Sequence, residues 1–64
     1  MLDFALTYGI EPASAYVLPA LFERSAAAVG MTRDALIAEA NRNVPLGMYL
    51  AECARKVAAE DRAA

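Results

Sequence analysis

A nucleophile or a proton carrier would be the first mark of an enzyme. The sequence holds one thiol, Cys53, and no histidine. Without imidazole neither a Ser–His nor a Cys–His pair can be assembled. Only Arg, Lys or a helix N-terminus could activate Cys53. It falls mid-helix on an apolar face, the position of an inert core thiol. The neighbouring acids Glu60 and Asp61 lie near the chain end, where solvent keeps carboxylates ordinary, and Glu23 and Glu39 fall on polar faces. A single cysteine without histidine cannot make a structural zinc site. The glycines, at 9, 30 and 47, lack the spacing of a phosphate-binding loop. The sequence therefore predicts a non-catalytic protein with no cofactor, no metal and no small-molecule substrate.

The charges point away from nucleic acid and membrane. Six basic residues stand against eight acidic ones, for a formal net charge of −2. Nucleic-acid binders usually carry a basic patch, and no run of like charge occurs here. The longest uncharged stretch, Pro12 to Phe22, has 11 residues, against the roughly 20 that span a bilayer. The N-terminus lacks a basic region, and the small residues Ala13-Ser14-Ala15 follow no adequate apolar segment, so no leader is expected. A lone cysteine fits a reducing, cytoplasmic setting. The alanine and arginine usage suggests a GC-rich bacterial or phage source.

Positioning any functional group takes a core, and here the core is thin. The chain has 64 residues, of which 59% are hydrophobic, but 16 of those 38 are alanine. Only 22 larger apolar residues remain. One small domain, residues 1–64, is the expectation, near the lower size limit for independent folding. No intrachain disulfide is possible, which leaves burial against a partner chain as the open source of extra stability.

The punctuation is helical. Alanine is the strongest helix former. Gly9-Ile10 and Gly30-Met31 repeat one stop signal, a left-handed glycine followed by an apolar residue that folds back. Pro12 suits a first helical turn, Thr32 suits an N-cap with Asp34 behind it, and Asn43 with Pro45 separates two further helices. The fold predicted is all-α, a small bundle of four short helices at about 3–8, 12–29, 33–42 and 45–60. The second should be kinked or split at Pro19, and the last few residues frayed. The first segment admits two readings. Leu2, Phe4, Leu6, Tyr8 and Ile10 alternate like a strand, while Leu2/Leu6 and Phe4/Tyr8 are helix neighbours. Helix is preferred because the Gly9 exit is a helix exit.

The faces follow at 100° per residue. In the fourth helix Leu46, Tyr49, Leu50, Cys53 and Val57 are expected to face inward, with Glu52 and Lys56 paired on the outside. The third should turn Leu36, Ile37 and Ala40 inward, with Val44 just beyond. The second helix has two faces. Leu18, Leu21, Phe22, Ala28 and Val29 form one, directed to the core. Ala13, Tyr16, Ala20 and Ala27 form another, a small-residue stripe that would let a second helix approach. Met48 projects from the polar side of its helix, and methionine suits adaptable contacts. These five residues, Ala13, Tyr16, Ala20, Ala27 and Met48, are the candidate partner or dimer interface. Ala35, Ala38 and Ala59 are helix fillers.

The stretch Ala26-Ala27-Ala28-Val29-Gly30-Met31-Thr32-Arg33 resembles the turn of the helix-turn-helix family, with Leu36 at an inward position of the following helix. The likeness covers about 20 of the 64 residues. It implies a dimeric DNA-binding regulator using Thr32, Arg33 and Arg42. Glu39 stands where that family wants an apolar residue and Ile37 where it wants an exposed one, and Asp34 and Glu39 would confront phosphate. A strand at the N-terminus would instead be the layout of dimeric ribbon-helix-helix regulators, but its alternate face carries Asp3, Ala5 and Thr7, unsuited to phosphate. The preferred expectation is a homodimeric protein–protein interaction module, an adaptor, inhibitor or accessory regulator, with the DNA-binding regulator as alternative.

Overall fold

The computed structural model describes residues 2–64. Among these residues five helices follow one another: α1 (Leu2–Tyr8), α2 (Pro12–Ala15), α3 (Leu18–Val29), α4 (Arg33–Arg42) and α5 (Val44–Ala63). The all-α bundle expected from the sequence is what the chain forms, with no strand among the described residues.

The stops act as anticipated. Gly9 and Gly30 have φ of 68° and 71°, which a glycine adopts without the Cβ clash of other residues. Each is closed by a six-residue hydrogen bond, Ile10 N to Ala5 O at 2.9 Å and Met31 N to Ala26 O at 2.9 Å. Ile10 folds back into the core, whereas Met31 stays partly in solvent. The Thr32 hydroxyl caps α4 by accepting from Ala35 N. Asn43 ends α4 and opens α5 by itself. Its amide donates to Glu39 O, and its side-chain Oδ1 accepts from Leu46 N.

Three boundaries differ from expectation. The predicted helix 12–29 is two helices, because Pro19 has no N–H to give the Ala15 carbonyl. Tyr16 and Val17 form the joint, and α3 restarts with Pro19 in its first turn. This break lets α2 pack on α5 while α3 packs on α4. The last helix, expected at about 45–60, spans Val44–Ala63. Its final turns are held by burial of Ala58 and by a bond from Tyr16 to Asp61.

The N-terminal segment is helix, and its alternation resolves into two i, i+4 pairs. Phe4 and Tyr8 turn inward, while Leu2 and Leu6 are exposed. Phe4 sits edge-on to Phe22 with ring centroids 4.9 Å apart and tilted against Tyr8 at 4.9 Å. Phe4, Phe22, Leu18, Leu21, Leu36 and Leu50 supply most of the large buried side chains.

The remaining core is made of small residues. The inner ridge of α5 is Gly47, Leu50, Ala51, Ala54 and Ala58, of which only Leu50 belongs to the face expected inward. Leu46, Cys53 and Val57 flank it half-buried, and Tyr49 is 66% exposed. On α3, Ala26 is buried while Ala28 and Val29 are exposed, and Val44 is exposed as well. Small side chains bring helix backbones close, so backbone atoms replace side-chain bulk in the contact. The chain exposes 4108 Å², against about 4,000 Å² for a folded monomer of this mass. The shortage of large residues is thus met inside the chain.

Tyr8 shows the tightness of this packing. Its ring lies directly on Gly47, and its hydroxyl donates to Ala40 O at 2.7 Å. Arg55 Nη2 donates to Tyr8 O at 2.9 Å. One residue of α1 therefore grips both α4 and α5.

Candidate functional site

The joint between α2 and α3 and the C-terminal half of α5 enclose a groove of about 500 Å³. One wall carries Tyr16, Val17, Ala20 and Arg24, and the other Val57, Glu60 and Asp61. The Pro19 break is what sets Tyr16 over α5. Its hydroxyl donates to the Asp61 carboxylate, and that bond to a carboxylate holds the phenol above its ordinary pKa. Tyr16 is nonetheless 55% exposed, with its ring on the rim.

Two of the five expected interface residues, Tyr16 and Ala20, are brought together here. Ala13 and Ala27 are exposed on α2 and α3 but outside the groove lining, the first before the break and the second one heptad beyond Ala20. Met48 is also exposed, yet it does not belong to this surface. Nine residues separate it from Val57, which at 100° each places it on the opposite flank of α5. The sequence does not single out Arg24, Val57, Glu60 and Asp61 as interface residues. Of the seven-residue series Ala13, Ala20 and Ala27, Ala20 alone lies on the α3 wall, and no local signal joins that wall to the one on α5.

A second hollow of about 230 Å³ lies among Ser25, Ala28 and Val29 of α3, Leu36 of α4, and Leu46, Tyr49 and Leu50 of α5. Its lining is almost wholly apolar, and Tyr49 and Val29 stand exposed beside it. These are the residues expected inside that the alanine ridge displaced outward.

The helix-turn-helix residues have a different setting. Thr32 is occupied as a cap. Arg33 and Arg42 are exposed at opposite ends of α4, and Arg42 Nη2 is 2.8 Å from Glu39 Oε1. The same Glu39 accepts from the Asn43 side chain, so this acid is built into the end of α4. The anticipated Glu52–Lys56 pair does not close. Arg42–Glu39 is the ion pair within 4 Å among the described residues. No cluster of three or more His, Cys, Asp or Glu suited to a metal ion occurs among those residues, and no helix among them is long and apolar enough to cross a membrane. Cys53 is a half-buried free thiol.

No protein-family model, curated protein or solved structure matches the chain.

Proposed function

We propose that this protein is a small non-catalytic interaction module that associates with itself through the groove between the α2–α3 joint and α5. The observation that carries this is the exposure of Tyr16 and Ala20 on an open groove floored by Val17 and Val57, in a chain whose own helices already fill its core. Exposed apolar residues occurring singly are ordinary, but a concave surface with an apolar floor, a charged margin and an aromatic on its rim has the character of a contact site. Its work is that of an adaptor, inhibitor or accessory regulator in a cytoplasm, where the free thiol of Cys53 stays reduced. A bacterial or phage source fits the composition. DNA is the weaker alternative, because Arg42 is already engaged by Glu39 and Asp34 adjoins Arg33.

The test is mass in solution. Light scattering at about 100 µM, enough to saturate a micromolar dissociation constant, should give twice the 6.8 kDa chain mass. Ala20→Glu should return it to monomer with unchanged helicity. A monomeric wild type would overturn the proposal, as would an Ala20→Glu protein that still dimerises.

A further inference from the structure

The groove's two walls carry opposite charge. Arg24 stands on the α3 wall, and Glu60 and Asp61 stand on the α5 wall. Asp61 is engaged by Tyr16, while Arg24 and Glu60 line the same groove without pairing across it. We propose that the occupant of this groove is a second copy of the chain, related by a twofold axis running along the groove, so that Arg24 of each copy meets Glu60 of the other. This rests on the self-association proposed above and adds its geometry.

Rotation about an axis lying in the contact plane and parallel to the groove carries the α3 wall of one copy over the α5 wall of the other. The basic wall then meets the acidic wall twice, once on each side of the axis. Rotation about an axis across the groove would instead lay α5 on α5 and bring acidic walls together. Charge therefore selects the first arrangement. Shape agrees with it. The α3 wall carries exposed Ala20 in the groove, a residue small enough for a neighbouring helix to approach closely. A stable interface covers about 800 Å² per partner, roughly a fifth of the 4108 Å² available here.

Charge reversal tests the geometry separately from association. Arg24→Glu and Glu60→Arg are both on exposed positions, so each protein should keep its helicity by circular dichroism. In sedimentation equilibrium each reversed protein alone should dimerise at least about tenfold more weakly than wild type, since like charges then face each other on both sides. An equimolar mixture should recover wild-type affinity, because in the mixed dimer both contacts again join opposite charges. A wild-type dimer whose variants bind as tightly as it does, or whose mixture fails to recover, overturns the twofold pairing and leaves self-association standing. A monomeric wild type overturns both.

Discussion

Gly47 should be irreplaceable for one reason only, the ring of Tyr8. A Cβ added there would run into Cζ, Oη and Cε2 of that ring. On helix propensity alone, Gly47→Ala would stabilise α5 by about 0.5–1 kcal/mol. The ring must move, however. Leaving Gly47 breaks the 2.7 Å bond from Tyr8 to Ala40 O, worth about 1 kcal/mol. Truncating a fully buried aromatic costs about 3–5 kcal/mol, and displacing the half-buried Tyr8 ring should forfeit about 2. Gly47→Ala should therefore destabilise the protein by about 2 kcal/mol and lower Tm by roughly 8–16 °C at this chain length. In a Tyr8→Ala background the obstacle is gone, and the same substitution should stabilise by the 0.5–1 kcal/mol of propensity. The sign reverses, and the coupling is about 3 kcal/mol, at the high end for residues in contact. Urea and thermal unfolding followed at 222 nm measure all four proteins. If Tyr8→Ala does not fold, Tyr8→Leu serves, since it lacks the distal ring atoms that meet Gly47. Equal effects of Gly47→Ala in both backgrounds, of either sign, would refute the account.

Other positions give simpler expectations. Ser14 is 1% exposed and its Oγ has no hydrogen-bond partner; Ser14→Ala removes that uncompensated hydroxyl and should raise stability by about 1 kcal/mol in urea unfolding. The Asn43 side chain accepts from Leu46 N and donates to Glu39 Oε2, so Asn43→Ala removes two side-chain bonds and should cost about 1–2 kcal/mol, more than Thr32→Ala, which removes one, at about 1. Tyr16 should titrate above the usual tyrosine range in phenolate absorbance, and Asp61→Ala should bring it back toward about 10. Because its folded pKa is the raised one, whatever the bond contributes to stability is intact at neutral pH and is lost only as pH rises through that value.

What was legible in the sequence was local. Gly9-Ile10, Gly30-Met31, Thr32 and Asn43 could be assigned because each cap acts within a few residues of itself. Pro19 announced a break for the same reason, though not whether it would bend the helix or divide it. The rotation of α5 is illegible because its large apolar residues, Leu46, Tyr49, Leu50, Cys53 and Val57, share a face of their own. Gly47, Ala51, Ala54 and Ala58 also share one face, and a glycine inside a helix is the signal that a close neighbour needs the space. The Tyr16–Asp61 contact spans 45 positions and leaves no periodic trace. Of the seven residues that line the groove, the sequence singles out Tyr16 and Ala20.

The alanines connect these outcomes. A chain with few large apolar residues can complete its core by recruiting another chain or by drawing its own helices together. Gly47, Ala51, Ala54, Ala58, Ala40 and Ala26 take the second course. Using small residues inward forces larger ones outward, which is why Tyr49 and Val29 stand in solvent. The thin core is thus no longer a reason for a partner, and the groove at Tyr16 and Ala20 is a surface apart from those displaced residues. The distinction has a physical consequence. A chain that needed its partner to fold would lose structure whenever the interface was broken. Here the surface area already matches that of a folded monomer, so association at the groove should be an equilibrium between folded chains, tunable by single surface charges and by concentration.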